Sequence, residues 1–209
     1  MGKMLEKTRN GKSSGSRGSD LLAELQAARE LLSRDRQRGW AAVNHVFRAG
    51  ILPQPPPGGD YAGEFVAINV APFLTLFLAW TAAHWMPWKG KAFDASRRQG
   101  INLLNRDILP LAYLLWPSYR YYLKDGPRLY RAFPFVTYSA PGLTDSDRRV
   151  LKIDYNLKPN PRLSVRRVLD ELVQLSDGFY LGKANVKWWW GRWQTVAFFY
   201  LIKPDGFLA

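Results

Sequence analysis

The stretch RVLKIDYNL at residues 149–157 has the clearest secondary-structure pattern in the chain. Large apolar and polar residues alternate along it, which is the period of a strand with one buried face. Similar runs occur before and after this stretch, and from Tyr119 to Leu157 they follow one another at regular spacing, separated by Gly and Pro, which predicts an antiparallel meander. The other runs are Tyr61–Ile68, Trp88–Phe93, Tyr119–Leu123, Arg128–Tyr138, Phe179–Trp188 and Trp193–Ile202.

Helical patterns occur in two places. Leucines and alanines at three-four spacing follow Asp20 and predict a helix to about Arg38. Apolar residues between Val165 and Val173 also fit one helical face, so we expect a helix there to pack against the sheet. We divide the chain into a disordered basic tail (1–19), a helical arm (20–52), a Pro/Gly linker (53–59) and a β-rich domain (60–209).

The composition is that of a globular protein. The chain has 209 residues, of which 47% are hydrophobic and 14% aromatic, so there is ample material for a core. With six or more strands in one small domain, closure of the sheet into a barrel is favoured, because it removes the sheet edges. We therefore predict an α+β, mainly antiparallel β fold, in which a curled sheet or barrel carries an N-terminal helical arm and one or two packed helices. A small barrel can hold one ligand.

Charge and rare residues narrow the classes of function. The formal net charge is +13, with 30 Lys and Arg against 17 Asp and Glu, and the chain has no cysteine and two histidines. The absence of cysteine excludes disulfides, a thiol nucleophile and zinc–thiolate sites. We expect no metal and no cofactor, because no P-loop or intact dinucleotide motif occurs. A basic surface attracts polyanions, and we place anionic membrane before nucleic acid because no nucleic-acid module is recognised.

The segment from Phe65 to Trp88 contains no Asp, Glu, Lys or Arg. About 20 such residues can span a bilayer. The run also contains polar residues and prolines, which suit a strand followed by a buried or interfacial helix from Pro72. Spanning the membrane, lying on it and avoiding it all stay open. The N-terminus lacks the apolar run of a secretory signal, so we expect a cytoplasmic protein attached peripherally to the inner membrane face.

The densest aromatic and basic cluster is Trp188-Trp-Trp190 with Arg192. Three consecutive tryptophans on a strand cannot all face inward. At least one must therefore meet solvent, a ligand, lipid or another chain, and Trp prefers the membrane interface. We predict a membrane or partner surface formed by Trp80, Trp85, Trp116, Trp189, Trp190 and Arg192.

The residues around Trp88 read MPWKGKAF (86–93). They resemble the Gly-x-Trp-x-Gly signature of small lipocalin-like bacterial proteins. Trp88 and Gly90 match the Trp and the second Gly, and Met86 replaces the first Gly. The resemblance implies a lipocalin-like barrel and a hydrophobic small-molecule or lipid ligand, and it implies no reaction. We expect Trp88 to close one end of the barrel, with Gly90 letting backbone pass close to the ring.

Polar residues on the 149–157 strand suggest where a ligand would bind. Asp154 shares a face with Lys152 and Asn156. If that face lines a cavity, the carboxylate needs a partner such as Lys183; the alternative is an exposed strand face. Asp154 is the candidate catalytic residue. The predicted ligand-binding residues are Trp88, Gly90, Lys152, Asp154, Tyr180 and Lys183.

The sequence thus predicts a binding protein rather than an enzyme. Its function would be to hold a hydrophobic small molecule or lipid in a barrel cavity, with peripheral attachment to anionic membrane. Two alternatives stay open. One is an isomerase, cyclase or hydrolase that acts on an apolar substrate on the same scaffold. The other is an accessory subunit of a membrane complex.

Overall fold

The computed structural model describes residues 2–69 and 88–204 of the chain. The predicted helix from Pro72, together with Trp80 and Trp85 of the predicted membrane surface, lies outside these residues. The helices are α1 (Gly2–Arg34), α2 (Arg36–Ala49) and α3 (Leu109–Leu115). The strands are β1 (Gly59–Ile68), β2 (Trp88–Asp94), β3 (Gln99–Asn105), β4 (Leu123–Asp125), β5 (Leu129–Pro141), β6 (Arg149–Asp154), β7 (Val168–Ser176), β8 (Phe179–Lys187) and β9 (Trp193–Ile202).

Antiparallel pairing closes the sheet into a barrel. The strand order is β3-β2-β1-β9-β8-β7-β6-β5, and β3 also pairs with β5. Within the described residues, these eight strands therefore form a complete ring, and β4 is a short addition paired with β5. The predicted α+β fold with an antiparallel barrel and an N-terminal helical arm is confirmed.

Alternating residues of the strands fill the barrel interior. On β6 the inward residues are Leu151 and Ile153, followed by Tyr155, as the alternation of 149–157 requires. Aromatic rings from other strands pack with them. The buried inner cluster consists of Tyr61, Phe93, Leu104, Tyr119, Ala132, Phe133, Phe135, Leu151, Ile153, Tyr155, Leu172, Tyr180, Phe199 and Leu201.

The helix pair α1–α2 covers part of the outer face of the barrel. Leucines of α1 and Phe47 of α2 pack on outward residues of the sheet, including Leu181 and Phe198. Asp35 separates the two helices, and its side chain caps α2 by accepting a hydrogen bond from the Arg38 backbone N–H at 3.0 Å. None of the helices in the described ranges is both long and apolar enough to cross a bilayer.

The predicted helix over Val165–Val173 is wrong. A short 3-10 turn occupies Val165–Arg167, and β7 begins at Val168. This strand is buried on both faces, since Leu172 faces the interior and Val173 lies under the helices. Because both faces are covered, apolar residues occur in adjacent pairs, Val168-Leu169 and Leu172-Val173, and pairs four positions apart imitate the spacing of a helix face.

Other boundaries also differ from the expected ones. The strand β3 was not expected, and β4 begins at Leu123, where the predicted strand 119–123 ends. α1 begins at Gly2 and so includes residues 2–19 of the predicted tail, for which disorder stays a prediction.

All strands run antiparallel, so the connections divide between the two ends of the barrel. We call one the mouth end; it carries the connections at 106–122, 155–167 and 188–192. We call the other the closed end; it carries the connections at 95–98, 142–148 and 177–178.

Candidate functional site

A cavity of about 260 Å³ lies inside the barrel. Its lining residues come mainly from the halves of the strands nearest the mouth end. This volume lies just under the usual range of ligand pockets, about 300–1,000 Å³, and therefore suits a small molecule. The lining consists of Phe65, Trp88, Lys91, Asn102, Leu104, Phe133, Tyr155, Val165, Val168, Asp170, Ala184 and Phe199.

Four of these residues form a polar cluster, which we define as Lys91, Asn102, Tyr155 and Asp170. The Lys91 ammonium donates to Asp170 Oδ2 at 2.9 Å, to Asn102 Oδ1 at 3.0 Å and to the Tyr155 hydroxyl. The Asn102 side chain in turn donates to the Phe133 carbonyl oxygen at 3.2 Å. The cluster is thus held by hydrogen bonds between four different segments of the barrel.

Burial dominates the electrostatics of the polar cluster. Lys91 is 3% and Asp170 4% exposed. Desolvation lowers the pKa of Lys91, although the Asp170 carboxylate opposes this shift. Burial, together with the nearby Asp170 charge, raises the pKa of Tyr155 well above its usual value, so its phenol stays protonated. The pair of opposite charges leaves the cluster with no net charge.

Aromatic rings complete the environment of the Lys91 ammonium. The Lys91 Nζ lies 5.1–5.5 Å from the ring centroids of Trp88, Phe135, Tyr155 and Phe199. Ring faces at this distance stabilise a cation. Amine, phenol and carboxylate groups are also the residue types of proton transfer, so the cavity combines apolar walls with groups able to hydrogen-bond or exchange a proton.

Trp88 lies in the cavity wall, and its predicted role of closing one end of the barrel stays a prediction. Its indole N–H donates to Asn102 Oδ1 at 3.1 Å, and its ring packs at 5.0 Å from that of Phe65. The backbone beside the ring is that of Gly63, where a Cβ would overlap the indole. Gly90 instead brings β2 against the Tyr61 carbonyl of β1, with a φ of +143°.

Lys152 and Lys183 lie on the outer side of the barrel. The Lys183 ammonium donates to Asp145 Oδ2 at 2.6 Å and lies 4.4 Å from the centroid of the Phe47 ring in α2. Lys152 pairs with the buried Glu171. These contacts join the sheet to the covering helices and to the 142–148 connection, away from the cavity lining.

Asp154 and Tyr180 also lie outside the cavity lining. Asp154 is half-buried at the end of β6, where its carboxylate accepts from the Asn156 backbone N–H at 2.8 Å. Tyr180 is buried in the inner cluster, with its ring 5.4 Å from that of Tyr61. Of the predicted ligand-binding residues, the structure therefore brings only Trp88 into the cavity wall. A ligand-binding role for Gly90, Lys152, Asp154, Tyr180 and Lys183 stays a prediction.

The buried tyrosines predict a loss of stability in alkali. Desolvation raises the pKa of Tyr119 and of Tyr122 to about 12, and burial also raises those of Tyr155 and Tyr180. From about pH 10 the unfolded chain releases these protons while the folded chain keeps them, so stability falls as the pH rises. Absorbance of tyrosinate should therefore show four tyrosines that ionise only as circular dichroism reports unfolding. Ionisation of all tyrosines near pH 10 with the fold intact would contradict this.

Comparisons with known proteins give a structural likeness and no match in sequence. No protein-family model matches the chain, and no curated protein matches it. Among solved structures, the crystal structure of a protein from Thermomonospora curvata contains a similar chain. The likeness has a TM-score of 0.46 and 13% sequence identity, and covers 86% of this chain and 99% of that one.

Proposed function

We propose that the protein binds one small hydrophobic molecule in the barrel cavity and attaches peripherally to anionic membrane. The cavity carries the first half of this proposal, because it is an apolar space with a few convergent polar groups at its wall. The Gly-x-Trp-x-Gly resemblance supports the same function, since Trp88 forms part of that wall.

The polar cluster favours a neutral ligand. Lys91 and Asp170 already balance each other at 2.9 Å, so a charged ligand would add an uncompensated charge to a mainly apolar site. A neutral molecule with one hydroxyl, carbonyl or aromatic amine group would keep that balance. The ligand class that fits is therefore a compact apolar molecule with at most one or two polar atoms.

Surface composition supports the membrane half of the proposal. Trp189 is 76% and Trp190 57% exposed, next to the exposed Arg192. Trp116 is half-buried, and its indole N–H donates to the Ser164 hydroxyl at 2.8 Å. Exposed indoles beside cations suit the interface of an anionic bilayer.

Filling the cavity should abolish ligand binding. Ala184 lines the cavity, and the change Ala184→Phe would place a ring in the space a guest needs. We expect the wild-type protein to raise the fluorescence of the neutral probe N-phenylnaphthylamine with saturation at one probe per chain, and we expect this increase to disappear in the variant.

The matched control is Ala23→Phe, because Ala23 is exposed on α1 and distant in sequence from every lining residue. It should bind the probe as the wild type does. Equal binding by the wild type and a folded Ala184→Phe variant would place the probe elsewhere and overturn the cavity as the binding site.

A further inference from the structure

Exposed apolar side chains concentrate at the mouth end of the barrel. The side chains described by the structure include twelve large hydrophobic ones that are exposed. Nine of these lie at the mouth end, within 113–123, at 163 and within 189–193. The three others, at 51, 138 and 202, lie elsewhere. Contiguous exposed apolar surface generally marks an interaction site.

Basic charge concentrates at the same end. The segments 106–128, 155–167 and 187–193 carry ten Lys and Arg against two Asp. They account for +8 of the formal net charge of +13 although they hold about a fifth of the residues. Apolar and cationic side chains are thus interleaved at the mouth end, which is the end nearest the cavity lining.

The β8–β9 turn holds its tryptophans in a fixed arrangement. The rings of Trp188 and Trp190 stack with centroids 5.2 Å apart and an interplanar angle of 6°. Trp189 meets both rings edge-on. The Trp188 indole N–H donates to the Gln194 side chain at 2.8 Å, which ties the stack to β9. The three indole rings thus pack on one another, so they present a preformed aromatic surface to a partner.

We propose that the mouth end docks on an anionic bilayer, so that the ligand passes directly between the membrane and the cavity. This inference rests on the proposed binding function and adds the orientation and the route. A bilayer fits better than a protein partner for two reasons. The apolar residues are spread over separate connections of the mouth end, and their basic neighbours match anionic headgroups. A hydrophobic ligand would also find its source in the membrane.

The orientation is tested by vesicle binding of a mouth-end variant and a control variant. The mouth-end variant is Trp189→Ser/Trp190→Ser. The control is Ile51→Ser/Ile202→Ser, which removes residues that are 56% and 42% exposed away from the mouth. On vesicles of phosphatidylcholine and phosphatidylglycerol, the mouth-end variant should have a partition coefficient for membrane binding at least about tenfold lower than that of the wild type. The control variant should have a partition coefficient within about twofold of the wild-type value. Equal losses would overturn the orientation.

Salt and lipid charge test the choice of partner. Binding should weaken at high salt and on vesicles of phosphatidylcholine alone, because cationic side chains supply part of the attraction. The membrane would be overturned as the partner if wild-type protein still takes up N-phenylnaphthylamine but binds to neither kind of vesicle. It would leave the cavity function intact.

The route is tested by transfer kinetics. If the probe passes during contact, its rate of transfer from protein to vesicles should rise in proportion to vesicle concentration, and Trp189→Ser/Trp190→Ser should slow it. A rate independent of vesicle concentration would mean release into water and would overturn the direct route. The variant should bind the probe normally without vesicles, which separates failure of the route from failure of the cavity.

Discussion

Replacing Asp170 with asparagine is expected to destabilise the folded protein by about 3–5 kcal/mol at neutral pH. The amide keeps the size of the carboxylate but removes its charge, so folding must either bury the Lys91 ammonium without its counter-charge or release its proton. Aromatic rings near Lys91 offset only a small part of this loss. Chemical denaturation of the variant and the wild type measures the difference.

The same variant should recover stability as the pH rises. Its folded state is expected to hold Lys91 neutral, whereas the unfolded chain keeps the proton up to the ordinary lysine pKa of 10.5. The unfolded state then binds more protons, so the free energy of unfolding rises by about 1.4 kcal/mol per pH unit. This gain applies below about pH 10, before the tyrosines ionise.

The double variant Lys91→Met/Asp170→Leu is the control for this prediction. It removes both charges together and leaves apolar groups, a change that is often neutral or stabilising. We expect it to be more stable than Asp170→Asn and to lack the rise with pH. If the single and double variants lose the same stability, the cost comes from packing rather than from the isolated charge.

Replacing Gly90 with alanine is expected to cost about 3–5 kcal/mol. The φ of +143° is one that residues with a Cβ rarely adopt, and a Cβ would overlap the Tyr61 carbonyl oxygen of the neighbouring strand. The change therefore combines backbone strain with a clash inside the β1–β2 pairing. Because β2 carries Trp88 and Lys91, probe binding should weaken along with stability.

Gly126→Ala separates these two contributions. Gly126 has a φ of +75° in the β4–β5 turn, and nothing lies within 4 Å of the added Cβ. It should cost only the conformational strain, about 1–2 kcal/mol. Thermal or chemical unfolding of both variants provides the test, and similar losses would mean that the contact with Tyr61 contributes nothing.

Much of the fold could be predicted because it is encoded locally. The alternation at 149–157 identified β6, and it is Leu151 and Ile153 that face inward. β7 was mistaken for a helix because the covering helices bury its second face, and no local pattern shows that cover.

The polar cluster depends on information that is not local. A bulge between Trp88 and Gly90 shifts the register of β2, so Trp88 and Lys91 both line the cavity. Strict alternation would place these two residues on opposite faces. Asp170 lies 79 positions from Lys91 and was hidden in a segment interpreted as a helix. Only the closed ring of strands brings the two charges together.

The first and last strands of the ring are partners, since β1 pairs with β9 from Ala62↔Ile202 to Ile68↔Ala197. During synthesis, β9 is therefore translated more than a hundred residues after β1. Until β9 has left the ribosome, β1 can pair with β2 alone. Until then the growing sheet has two open edges, which are templates for pairing with other chains. The protein is thus prone to aggregation during its synthesis, and pairing of the ten-residue strand β9 with β1 removes the open edges.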